Sequence, residues 1–101
     1  MTRDPSRREH ILEVLRAHRE TLDEFGVARL LLFGSCARGD AGADSDVDLL
    51  VEFRRPVGLF EFVRLRRQLA EIVGQRVDLV TPAALTPQLR DRILHEAVVA
   101  A

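Results

Sequence analysis

The stretch LLLFGSCARGDAGADSDVDLLVEF, Leu30 through Phe53, decides the fold. A run of aliphatics breaks at Gly34-Ser35, passes through a loop of small residues, and re-enters a strand carrying Asp46 and Asp48. Ionised carboxylates in an apolar setting cost several kcal/mol unless a cation or a donor compensates them. A positive partner is therefore expected here. From Asp46 to Phe53 the alternation is strict: Val47, Leu49, Val51 and Phe53 share one face, and Asp46, Asp48, Leu50 and Glu52 the other. Both aspartates then point the same way, about 6–7 Å apart along the backbone.

Working outward, Val27 to Phe33 reads as a short strand buried on both faces, and Gly34 to Gly39 as one or two helical turns, followed by a loop from Asp40 to Ser45. Upstream, Asp4-Pro5 and the capping-box spacing of Ser6 and Glu9 predict a helix running to Gly26, with Ile11, Leu15, His18, Leu22 and Phe25 inward. Downstream, Leu59, Phe62, Leu65, Leu69 and Ile72 mark a second amphipathic helix that Gly74 ends. Arg76 to Val80 is a third strand with Asp78 and Val80 on one face. Thr86-Pro87 caps a last helix facing inward through Leu89, Ile93 and Ala97. The expected fold is α+β, a two-layer α/β arrangement with a short mixed sheet packed against helices, in a single domain spanning 1–101.

The composition narrows the function. Fifteen basic residues against 16 acidic ones give a formal charge of -1, a poor footprint for gripping nucleic-acid backbones, so nucleic acid is not expected as the main partner. The chain has no Lys, Tyr, Trp or Asn, which removes Schiff-base lysine chemistry, the P-loop lysine and the usual base-stacking platforms. No segment is long enough to span a membrane, and the charged N-terminus lacks the apolar core of a signal peptide, so a cytoplasmic protein is expected. Cys36 alone can form neither an internal disulfide nor a cysteine-rich metal site. Beside a helix start with no His or Lys next to it in sequence, it reads as a small packing residue.

Two carboxylates at i and i+2 on a strand suit a pair of hard cations. Mg²⁺ favours few carboxylates plus phosphate oxygens and water, and two ions about 4 Å apart can stabilise both the attacking and the leaving oxygen of a phosphoryl-type displacement. Asp78, one crossover helix later, is the natural third ligand. Gly34-Ser35 stands where a strand ends and a helix begins, so free N–H groups and the Ser35 hydroxyl can meet a phosphate, and Arg38 can add charge to it. The parts together describe a nucleoside triphosphate site with Mg²⁺ or Mn²⁺ as cofactor.

The motifs GSCARG, SDVDLLV and VDLV, taken in this order, resemble the minimal nucleotidyltransferases (MNT) of the DNA polymerase β-like superfamily, and the tail RDRILHEAVV resembles the family's last helix. The resemblance covers nearly the whole chain. It implies a nucleotidyltransferase palm, Mg²⁺-dependent transfer of AMP, and service as the antitoxin of a HEPN-domain toxin within a hetero-oligomer. It also implies that Asp46 and Asp48 are paired metal ligands, Asp78 the third carboxylate, and Gly34 and Ser35 the phosphate contacts. With no Tyr in the chain, a tyrosine acceptor would have to come from the partner.

Other readings are weaker. Asp44, Asp46 and Asp48 match the first ligands of a calcium loop, but Leu49 stands where that loop needs glycine and Arg55 where it needs glutamate. Arg38 has a structural alternative, pairing with Asp40 or Asp44. Glu52 is expected in solvent, His18 as a packed or hydrogen-bonded imidazole, and Arg64, Arg66 and Arg67 as a solvated strip. Two alternative functions remain: a non-catalytic antitoxin that neutralises by complex formation, and a small-molecule adenylyltransferase, which would need a substrate subdomain.

Overall fold

A computed structural model describes residues 7–38 and 46–101. The chain runs α1 (Arg7–Ala17), α2 (Arg19–Glu24), β1 (Val27–Phe33), α3 (Gly34–Arg38), β2 (Val47–Phe53), α4 (Leu59–Val73), β3 (Val77–Val80), a 3₁₀ turn (Pro82–Ala84), α5 (Pro87–Glu96) and β4 (Val98–Val99). The expected helix cap at Asp4 to Ser6 and the loop from Asp40 to Ser45 lie outside the described residues.

The four-stranded sheet has the order β3-β2-β1-β4. β1 pairs antiparallel with β2 and β4, while β2 and β3 are parallel, joined by α4 as the crossover. This is the mixed sheet expected. On one face Leu30, Leu32, Val47, Leu49, Val51 and Leu79 form the main core with Ile11, Leu15, Leu65 and Leu69. On the other, Leu31 and Leu50 pack under Ile93 of α5, with Phe33, Val80 and Leu85 alongside. Leu50, which shares the aspartates' face, is fully buried because α5 covers it. Among the described residues no helix is long and apolar enough to cross a membrane.

Three expectations are corrected. The first helix is broken at His18, whose N–H bonds back to the Leu15 carbonyl at 3.1 Å while its Nδ1 donates to the Val14 carbonyl at 2.8 Å. The ring thus takes the acceptor that an α-helical N–H(18) would use, and the helix tightens and restarts. His18 is hydrogen-bonded but exposed, not inward. The C-terminal segment is not helical to its end: α5 stops at Glu96, and Val98 and Val99 pair with Leu32 and Leu31. A two-residue strand has no periodicity of its own. Leu59 stands 76% exposed at the start of α4 and Leu89 is also exposed, so neither belongs to the core.

Gly74 ends α4 with φ +71, its N–H bonding to the Ala70 carbonyl at 2.9 Å, a left-handed cap that favours glycine. Thr86 caps α5 by accepting the Leu89 N–H at 3.3 Å. Thr86→Ala is expected to cost about 1 kcal/mol, visible as a lower urea midpoint at unchanged slope.

Candidate active site

Three strand ends meet at one end of the sheet. Phe33 at the end of β1 lies opposite Asp48 near the start of β2, and Asp48 lies opposite Asp78 in β3. Residues in register on neighbouring strands project to the same side, so Asp48 and Asp78 stand side by side. Asp46 precedes β2 and is exposed, Asp48 is half-buried, and Asp78 is exposed. The sheet therefore brings together carboxylates that are 30 positions apart in the chain.

Gly34 is favoured here for two independent reasons. Its φ of +75 lies in the left-handed region, and a Cβ on it would stand 2.2 Å from Asp48 Oδ2. The close approach sets the start of α3 against the carboxylate. Ser35 follows, half-buried, in the first turn. A helix of only five residues has a weak macrodipole, so its unpaired N–H groups are what it offers an anion. α3 is tied down on both sides: Arg8 donates to the Ala37 carbonyl at 3.2 Å, and the Cys36 thiol to the Asp46 carbonyl at 3.7 Å. Cys36 thus helps seat the start of β2. Burial pushes its thiol up, with Asp48 adding to the shift and Arg7 opposing it, so it is an inert packing group, as expected.

The Asp48 carboxyl is held above the usual carboxylate range, first by burial, then by the charges of Asp78 and Asp46, with Arg38 opposing. Crowded like charges of this kind make a sink for cations. Among the described residues no three His, Cys, Asp or Glu side chains close into a metal-holding group. Asp48 and Asp78 in register offer the few carboxylates that Mg²⁺ takes when phosphate oxygens and water complete its shell.

Two clefts flank Asp78. One, about 420 Å³, lies against α5, floored by Phe33 and Val80 and walled by Leu89 and Ile93, with Gly34 and Arg38 lining it. Arg38 pairs with Glu96 across it at 3.5 Å. Arg92 and Glu96, which also line it, were not singled out from sequence. They lie about 60 residues from Gly34, and only the packing of α5 brings them near. The other cleft, about 470 Å³, opens on the α4 side and is lined by Asp46, Asp78, Arg66, Arg67 and Arg76. Glu52 lies away from both, paired with Arg29.

Residues 15–100 match the nucleotidyltransferase domain family. The chain belongs to this family. It is 42% identical over 91 residues to the protein adenylyltransferase MntA of Thermococcus cleftensis, covering 89% of this chain and 92% of that protein. A solved structure provisionally named a minimal nucleotidyltransferase is 44% identical and superposes with a TM-score of 0.73, covering 86% of this chain and 93% of that one. A chain from the complex of a tri-AMPylated Shewanella oneidensis HEPN toxin with an MNT antitoxin shares the fold at 17% identity, with a TM-score of 0.65 over 90% of this chain and 71% of that one. The mixed sheet packed against helices expected from sequence is thus that of a nucleotidyltransferase.

Proposed function

We propose that this nucleotidyltransferase moves AMP from ATP to a hydroxyl of a partner HEPN-domain toxin, a tyrosine being the expected acceptor, and so acts as its antitoxin. The observation that carries this reading is the in-register pairing of Asp48 with Asp78 beside a left-handed turn that favours glycine. The names of its relatives support it: an adenylyltransferase at 42% identity, and a chain of the same fold from the complex of an AMPylated toxin with an MNT antitoxin.

In this reading the triphosphate lies on the N–H groups and hydroxyl at Gly34-Ser35, with Arg38 adding charge from the cleft wall. Asp46, Asp48 and Asp78 would hold Mg²⁺ or Mn²⁺. Such ions supply charge to the α-phosphoryl oxygens and to the departing pyrophosphate. The acceptor oxygen approaches the α-phosphorus in line, opposite the bridging oxygen. The new O–P bond forms as the bond from phosphorus to that bridging oxygen breaks, and the hydroxyl proton passes to the Asp78 carboxylate. The chain's own contribution is placement: Gly34 keeps the phosphate seat against Asp48, and the parallel β2–β3 pairing keeps Asp78 one strand away.

The test is direct. Incubated with ATP, Mg²⁺ and the protein encoded beside it, the protein is expected to raise that partner's mass by one or more AMP residues, and chelation is expected to stop the reaction. An unchanged partner mass overturns the proposal. A second reading, neutralisation by complex formation alone, draws on the absence of a closed three-ligand group among the described residues. Replacing Asp46 and Asp48 together by Asn separates the two: full neutralisation by that variant favours occlusion, whereas loss of neutralisation with intact binding favours catalysis.

A further inference from the structure

The cleft on the α4 side shares Asp46 and Asp78 with the proposed nucleotide site, but its three arginines have no role in that site. Arg66 and Arg67 sit one turn before Ala70 on α4, and Arg76 immediately precedes β3, so helix and strand present three guanidinium groups to one concavity of about 470 Å³. Elsewhere Arg19 and Arg54 are ion-paired with Asp23, Arg29 with Glu52 and Arg38 with Glu96, whereas Arg55, Arg64, Arg90 and Arg92 are not paired among the described residues. Among the described residues the side chains of Arg66, Arg67 and Arg76 have no ion-pair or hydrogen-bond partner. All three are exposed, and they outnumber the two aspartates that share the cleft with them.

Resting on the transfer to a protein acceptor proposed above, we infer that this arginine cleft is the docking site for an acidic segment of the acceptor. Its position favours the acceptor over the triphosphate. Gly34, the proposed phosphate seat, lines the α5-side cleft and the arginines line the other, with Asp78 common to both. An in-line displacement needs nucleophile and leaving group on opposite sides of the phosphorus, so the group that carries the hydroxyl enters from the arginine side. The planar guanidinium fork matches a carboxylate through two parallel N–H bonds, which gives register as well as attraction. A carboxylate-bearing segment is favoured over RNA because the cleft is lined by Ala70 and Val77 and has no aromatic ring on which a base could stack.

The test uses the full chain, a fluorescein-labelled heptaglutamate peptide and the triple variant R66Q/R67Q/R76Q, whose exposed positions leave the core untouched. Peptide anisotropy is expected to show binding that falls with added salt and weakens about tenfold to a hundredfold in the variant. Affinity for ATP is expected to stay unchanged, and the KM for the HEPN partner to rise with little change in kcat. Equal loss of ATP affinity would make the cleft a triphosphate seat and overturn the inference. Tighter binding of a labelled oligouridylate than of the peptide would overturn it in favour of RNA, and an unchanged partner KM in the variant would overturn it alone, leaving the transfer reaction intact. Peptide binding that depends on the arginines, in a protein that transfers nothing, would uphold the docking site and remove the proposed activity.

Discussion

Asp48→Asn is expected to abolish nucleotidyl transfer while raising the Tm of the metal-free protein. The two effects have one cause. Asp48 is half-buried, and the charges of Asp78 and Asp46 face it, so its ionised form is disfavoured in the folded state. Its folded pKa lies above its unfolded value, and between the two the native state binds more protons than the unfolded chain. Stability is therefore full below the unfolded pKa, falls as pH rises through that window, and carries the whole cost at neutral pH. Asparagine has nearly the same shape and no charge, so it removes the cost. In the proposed mechanism transfer, in contrast, would lose a negative ligand for ions that supply several kcal/mol of transition-state stabilisation, and a fall of at least about 10²- to 10³-fold is expected. Thermal melts in chelator should show the variant melting higher at pH 7, with the difference shrinking as pH is lowered toward 4. Added Mg²⁺ should stabilise the natural protein and not the variant, by mass action on the folded state. A variant that melts lower in chelator would show that Asp48 is structurally stabilising and would contradict this electrostatic account.

Gly34→Ala is expected to damage both stability and activity, through two separable contributions. The left-handed φ of +75 costs an alanine about 1–2 kcal/mol. The new Cβ also cannot coexist with Asp48 Oδ2, which would stand 2.2 Å away, so either the carboxylate swings aside or α3 shifts. A displacement of about 1 Å in a reacting group costs about 100-fold in rate, and the same fall is expected in kcat here. A double-mutant cycle with Asp48→Ala isolates the clash: removing the carboxylate should return the steric part of the lost stability and leave the part due to backbone strain. Losses that simply add would show that the two residues do not meet.

Much of this protein was legible before any coordinates. Alternation from Asp46 to Phe53 put Val47, Leu49 and Val51 in the main core and Asp48 on the opposite face, because a strand's period of two allows no other split. Gly74 and Thr86 marked helix boundaries because their chemistry is local: a left-handed cap in one case, a hydroxyl accepting an N–H three residues on in the other. Where a single hydrogen bond or a distant partner decides the structure, local pattern fails. His18 falls on the apolar stripe, yet its ring takes the Val14 carbonyl and breaks the helix. Val98 and Val99 become a strand only because β1 offers them a free edge.

The candidate site divides in the same way. Residue types and spacing by themselves determined the paired aspartates, the Gly-Ser turn and the order in which a third carboxylate follows, since a backbone conformation or a strand face is set within a few residues. Only tertiary structure decided that Asp78 stands in register beside Asp48, that Gly34 is held open by a carboxylate 14 positions away, and that Arg66, Arg67 and Arg76 gather around one cleft. These are contacts between separate elements. Their free energy comes from how sheet and helices pack, and no window of the chain contains both partners.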